Sequence, residues 1–156
     1  MDEQRAKIQE DLRGLLSGDV RCDDVFVQMY SSDASIYQIR PLGVVRPRNV
    51  EDVVACVQYA HENLLPIHAR GAGTGLAGDS LGPGLVLDFS KYMRRVVWTK
   101  GDQVRVQPGL VLERLNHQLA DHKRYFPPDP ATGTITSIGS VSDLDGAGRH
   151  SVKGGG

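Results

Sequence analysis

Cysteine is scarce in this sequence. Cys22 and Cys56 are the only two, far apart and without histidine or cysteine at metal-ligand spacing. That argues against a zinc or iron–sulfur site and against a disulfide framework, so a reducing cytoplasm is the default compartment. Charge of one sign is not in excess either, with 18 Lys and Arg against 19 Asp and Glu. The basic residues are scattered rather than striped along one face, which removes the electrostatic case for nucleic acid or an anionic membrane. Any anion site has to be local. Long hydrophobic runs are missing too: no stretch approaches the roughly 18–20 apolar residues of a membrane span. The start, Met1-Asp2-Glu3-Gln4-Arg5, leads into a charged amphipathic stretch rather than an apolar signal region. The balance that remains, 40% hydrophobic and 24% charged over 156 residues, suits one globular domain or a large piece of one.

Glycine is the abundant residue. The 18 glycines cluster at 71–84 and 133–156, either as flexible linker or as places where backbone must approach something closely. Before the first cluster, Ile8, Leu12, Leu15 and Leu16 predict a helix over about 3–17, stopped by Gly18. Residues 19–41 are mixed, with turn chemistry at Tyr30-Ser31-Ser32-Asp33-Ala34-Ser35. Leu42 to Arg46 reads as a short buried strand closed by Pro47. Asn49 then caps a helix with Asp52 at its third position, and Val50, Val53, Val54, Val57 and Leu64 form the expected apolar stripe, with Cys56 and Ala60 beside it. Pro66 to Arg70 is the next strand and completes a βαβ unit ending at Gly71. Further strands are predicted at 85–89, about 94–99 and 103–107, the last two joined by Lys100-Gly101-Asp102. A helix follows at about 110–121 on Leu112, Leu115 and Leu119, and from Phe126 the chain reads as turn and loop.

The stretch Arg70-Gly71-Ala72-Gly73-Thr74-Gly75-Leu76-Ala77-Gly78-Asp79-Ser80 carries the most chemistry. Successive small residues leave backbone N–H groups uncovered, and a curved run of them forms a nest for phosphate oxygens without net protein charge. Thr74 and Ser80 could add hydroxyl donors, and Arg70 a cation. A P-loop needs Gly-Lys-Ser/Thr at its end, and no lysine lies between Arg70 and Lys91. Gly73-x-Gly75-x-x-Gly78 matches the Rossmann fingerprint literally, but that loop must open a helix facing the pyrophosphate. Gly82-Pro83-Gly84 and the strand at about Leu85 leave no room for one. A pyrophosphate held by loop amides alone, between two strands, fits the spacing. A glycine-rich surface loop without a ligand is the alternative.

With these residues in view, the sequence resembles the FAD-binding domain shared by vanillyl-alcohol oxidase, p-cresol methylhydroxylase and D-lactate dehydrogenase. The pattern is closest to the flavin subunit of bacterial glycolate oxidase and to D-lactate dehydrogenases. Four ordered segments carry the likeness besides the loop: Tyr30 to Ser35, Val44 to Val53, Phe126-Pro127-Pro128-Asp129-Pro130-Ala131, and Thr136-Ser137-Ile138-Gly139-Ser140. Asp145-Gly146-Ala147-Gly148 and His150-Ser151-Val152-Lys153 follow in that family's order. The sequence departs from the pattern at Ser140 (commonly glycine), Asp145 (usually asparagine) and Gly154 (often tyrosine).

The resemblance implies an α+β fold of the p-cresol methylhydroxylase type: a first subdomain with a βαβ unit and further strands, then the start of a second, more antiparallel one, with FAD between them. Residues 1–18 would form an amino-terminal helix and residues 19–156 an FAD-binding domain that is truncated, incomplete at its carboxyl end. Carried over residue by residue, the implied cofactor contacts are Pro47, Arg70, Gly71, Ala72, Gly73, Thr74, Gly75, Leu76, Gly78, Ser80, Pro128, Asp129, Ser137, Gly139, Ser140 and Gly148. Asp129 could equally cap a turn. No histidine sits in the first loop, where covalently flavinylated relatives attach FAD, so the implied binding is non-covalent.

The implied enzyme is an FAD-linked oxidoreductase that passes hydride from a 2-hydroxy acid, glycolate or D-lactate in type, to flavin N5. Its electrons would leave to an iron–sulfur partner or to quinone, and a peripheral place at the inner membrane is compatible with that. Catalytic residues are not among those present: the implied base and metal-binding histidines belong to a substrate domain. His61, His68, His117, His122 and His150 form no pair at ligand spacing, and Tyr92 and Trp98 read as core or edge residues. Two alternatives stand beside this: a different reductase on the same flavin domain, such as one acting on cell-wall precursors, and a catalytically inactive flavin-binding fragment.

Overall fold

The computed structural model describes residues 1–143 together with Gly146, Gly148 and Ser151. Asp145, His150 and Gly154, singled out above, lie outside the described residues. Contacts divide the chain into two units, Met1–Tyr92 and Met93–Gly156.

The first unit opens with helix α1, Glu3–Leu15, whose Asp2 side chain caps the Arg5 N–H. Ile8, Leu12 and Leu16 are buried as the periodicity requires, but Leu15 is exposed, and the helix ends at Leu15, about two residues earlier than predicted. The mixed region resolves into a short strand β1, Asp19–Arg21, and a helix α2, Asp24–Met29, capped by Asp23. Both are too short for periodicity to reveal. Strand β2 (Gly43–Arg46), helix α3 (Val50–Glu62), strand β3 (Ile67–Arg70) and strand β4 (Leu85–Asp88) follow.

The sheet order is β1-β2-β4-β3. β4 pairs in parallel with β2, Val44 opposite Val86, and with β3, His68 opposite Val86, while β1 runs antiparallel to β2. The predicted βαβ unit is therefore present with β4 inserted between its two strands. Leu85, Val86 and Leu87 are almost fully buried, as expected of a central parallel strand.

Helix α3 packs a different face from the one its valines suggest. Asn49 does cap it, accepting from the Asp52 N–H at 2.8 Å. The buried side, however, is Asp52, Cys56, Tyr59 and Ala60, with Val53 and Ala55 at its border. Val50, Val54, Val57 and Leu64 are 47–89% exposed. Polar atoms on the packed face explain the difference. Asp52 accepts from the Ser17 N–H and hydroxyl and from the Arg48 N–H, and the Tyr59 hydroxyl donates to Asp11 at 2.9 Å. These partners let an acid and a phenol lie where hydrophobicity alone would place valine.

The second unit holds the hairpin β5–β6, Val96–Lys100 and Gln103–Val106, turning at Gly101 with φ +57°. Helix α4, Leu112–Ala120, buries Leu112, Leu115 and Leu119. These pack with Leu110 and Ile138, and Val96, Val104, Val106 and Phe126 lie against them. A short helix α5, Ile138–Asp143, buries Ile138 and Val141 where the sequence reads as loop. Glycine and serine are poor helix formers, and one i, i+3 pair is too little signal.

Candidate functional site

The parallel strands β3 and β4 are neighbours, yet the segment joining them contains only bends and a turn, with no helical residue between Arg70 and Leu85. Parallel neighbours normally need a crossover of a dozen or more residues, usually a helix. Here glycine backbone does that work. Gly73 has φ +71° and Gly78 φ +83°, conformations glycine adopts without steric cost. Among the described residues, no backbone N–H from Gly71 to Gly78 donates to a protein acceptor. Gly75 has open space where a side chain would stand. The loop is therefore a run of available donors rather than a segment absorbed by sheet pairing.

Lead-in residues 30–37 brace this loop, a role their turn-like composition does not announce. Ala34 N–H donates to the Gly73 carbonyl at 3.0 Å. The Ser80 hydroxyl donates to Asp33 at 3.0 Å, and Asp33 also accepts from the Ser35 N–H at 2.8 Å. Desolvation pushes the Asp33 carboxyl upward, but the bonds from Ser35 and Ser80 and the charge of Arg70 outweigh it and hold the group below its ordinary range. Tyr37 packs its ring where a Gly78 side chain would be, 2.9 Å from a built Cβ.

Arg70 lies at the mouth of the loop. Its guanidinium donates to the Ser32 carbonyl at 2.9 Å, lies 5.2 Å from the Tyr30 ring centre, and comes within 2.5 Å of where a Gly73 Cβ would be. Arg70 Nη1 is buried without an acceptor. Tyr30 in turn donates to Asp88 at 2.6 Å, a buried carboxylate at the end of β4. Burial first, and then this bond, raise the Tyr30 phenol well above its usual range. Beneath the loop, Gly82 sits directly on the His68 imidazole. Nε2 of His68 is buried without a partner, and burial lowers its pKa.

The other sequence-derived site residues fall in three places. Pro47 is fully buried at the end of β2. Ala72 and Leu76 are exposed, and Gly71 and Thr74 partly so. In the second unit, Gly148 lies against the Asp129–Pro130 peptide, so close that a Cβ would come within 2.0 Å of the Asp129 carbonyl oxygen. Ser137 is buried, with its hydroxyl 3.0 Å from that of Ser140, and Gly139 N–H donates to the Pro108 carbonyl at 2.8 Å. Pro128 is half-buried beside Asp129. Asp129, Gly148, Pro128 and the 137–140 segment thus share one unit, and Arg70 to Ser80 belong to the other. Asp129 and Glu113 line a cleft of about 260 Å³ beside Asn116 and Thr134. Among the described residues there is no cluster of three or more His, Cys, Asp or Glu able to hold a metal ion. Nor is any helix there long and apolar enough to cross a membrane.

Fold and loop together define an α+β domain in which two parallel strands are joined by a helix-free glycine loop. Comparison with known proteins agrees. The profile of a family described as "FAD binding domain" matches residues 41–156. The chain is 35% identical over 127 residues to D-2-hydroxyglutarate dehydrogenase of Pantoea ananatis, covering 78% of this chain and 12% of that protein. It is 32% identical over 134 residues to glycolate oxidase subunit GlcD of Escherichia coli K12, covering 84% and 27%. A solved alkyldihydroxyacetonephosphate synthase superposes with a TM-score of 0.81 over 99% of this chain and 31% of its own, at 19% identity, a likeness of fold. The chain belongs to the FAD binding domain family. It spans between about an eighth and about a quarter of the length of the two curated relatives.

Proposed function

We propose that the β3–β4 loop holds the diphosphate of FAD non-covalently, and that the chain is the FAD-binding part of an oxidoreductase acting on a 2-hydroxy acid of glycolate, D-lactate or D-2-hydroxyglutarate type. One observation carries the proposal: the amides of Gly71 to Gly78 have no protein acceptor among the described residues, beside an arginine whose Nη1 is buried and unpaired. A dianionic diphosphate supplies acceptors for both. The glycine conformations at 73 and 78 are the concavity that lets backbone approach the ligand.

Bound FAD would supply the hydride acceptor for the substrate carbon. This chain's residues would bind and orient the cofactor, with Arg70 and the 71–78 amides at the diphosphate. Pro128, Asp129, Ser137, Gly139, Ser140 and Gly148 are the proposed second contact region. Residues 1–18 would be an amino-terminal helical segment and residues 19–156 the FAD-binding domain. The relatives named above support the substrate class.

Titration of the purified chain with FAD, followed by flavin fluorescence and absorbance, tests the proposal. Saturable binding by the native chain, lost in Gly73→Val, is expected. Val at 73 would be strained at φ +71° and would push the Arg70 guanidinium from its place beside the loop. Absence of binding by the native chain, or equal binding by the variant, overturns the diphosphate assignment.

A further inference from the structure

We infer that Tyr30 is a positioning residue for the diphosphate site: its ring, fixed through its hydroxyl to the buried Asp88, holds the Arg70 guanidinium at the mouth of the glycine loop. This rests on the loop being the diphosphate seat proposed above.

A free arginine side chain has four rotatable bonds, so a cation that waits over a binding loop needs something to hold it there. Arg70 has two such restraints, the Ser32 carbonyl at 2.9 Å and the Tyr30 ring at 5.2 Å. The ring is the one that can be traced to the core. Its hydroxyl reaches Asp88 Oδ2 at 2.6 Å, and Asp88 Oδ1 accepts from the Ser90 N–H at 2.8 Å. Asp88 is 3% exposed and pairs in register with Arg70 itself across the β3–β4 ladder. Phe26 stacks on the other end of the arrangement, 5.3 Å from the Tyr30 ring. The carboxyl end of β3, which launches the crossover loop, and the carboxyl end of β4 beside it are thus linked by one tyrosine from a third segment. Cation–aromatic contact of this kind is geometrically tolerant along the ring face, so it fixes the guanidinium plane while leaving N–H groups to a ligand.

The role predicts coupling, not merely loss. Tyr30→Leu is expected to weaken FAD binding about three- to tenfold and to flatten its dependence on salt concentration, because the diphosphate loses an ordered cation. In an Arg70→Gln background the same substitution should change affinity less than twofold, since what it positions is gone. Tyr30→Phe keeps the ring and the packing; it should show about a twofold loss in the native background and none with Arg70→Gln. That variant decides the matter if Tyr30→Leu does not fold.

Losses that simply add in the double variants would make Tyr30 a packing residue and overturn the inference, while the diphosphate assignment stands. Failure of the native chain to bind FAD overturns the assignment and the inference with it.

Discussion

Ser80 gives its hydroxyl hydrogen to Asp33 Oδ2 at 3.0 Å, joining positions 47 residues apart. A serine hydroxyl has one hydrogen to donate, so in this arrangement Ser80 fastens the loop to the lead-in segment instead of reaching for a phosphate. Ser80→Ala is expected to speed amide hydrogen exchange around Gly78 to Leu81 and to change FAD affinity less than about threefold. A tenfold loss of affinity with unchanged exchange would return Ser80 to the ligand.

Gly84 tests the crossover itself. A side chain there would stand 1.9 Å from the Pro66 carbonyl, the acceptor of the Leu85 N–H at 2.9 Å that begins the β3–β4 ladder. Both are backbone, so neither can swing aside. Gly84→Ala should cost roughly 3 kcal/mol in chemical denaturation, more than Gly101→Ala, whose turn has open space but a left-handed φ.

The packed face of α3 can be checked by paired substitutions. Val54→Gln and Val57→Gln, at 48% and 47% exposure, should each shift stability by less than about 0.5 kcal/mol. Asp52→Ala, which strands the Ser17 and Arg48 amides, should cost about 2–4 kcal/mol. The reverse ranking would put the valine stripe in the core after all.

His68, whose Nε2 is buried, and the buried Asp52 shape the response to acid. Burial depresses the His68 pKa below 6.5, so the unfolded chain takes up that proton first as pH falls. The contribution of neutral His68 is complete above 6.5 and declines as pH drops toward the folded value. Asp52 is pulled upward by desolvation and more than offset by bonds from Arg48 and Ser17, so it is held below 3.8. Its contribution persists above 3.8 and is lost as pH falls through the folded value. Denaturation midpoints should therefore fall in two acid steps, and His68→Gln should abolish the earlier one.

Much of this architecture was legible in the residues because glycine and proline punctuate it. The loop at 71–84 was identifiable as a helix-free crossover, since Gly82-Pro83-Gly84 leaves no room for a helix before Leu85. The Asn49 cap followed from side-chain chemistry at fixed spacing. What stayed hidden depended on partners distant in sequence. The Asp52 face of α3 is defined by Ser17, and the bracing of the loop by residues 30–37 is written in single hydrogen bonds without periodicity. The insertion of β4 between β2 and β3 is a matter of topology on which strand patterns are silent.

That insertion has a consequence for how sequence change is tolerated. The glycine segment delivers the central strand to its place between two parallel neighbours, so a mutation that spoils its path threatens sheet assembly as well as ligand capture. Loops that only bind can drift once their ligand is dispensable. This one would stay under selection for foldability even in a descendant that had given up its cofactor.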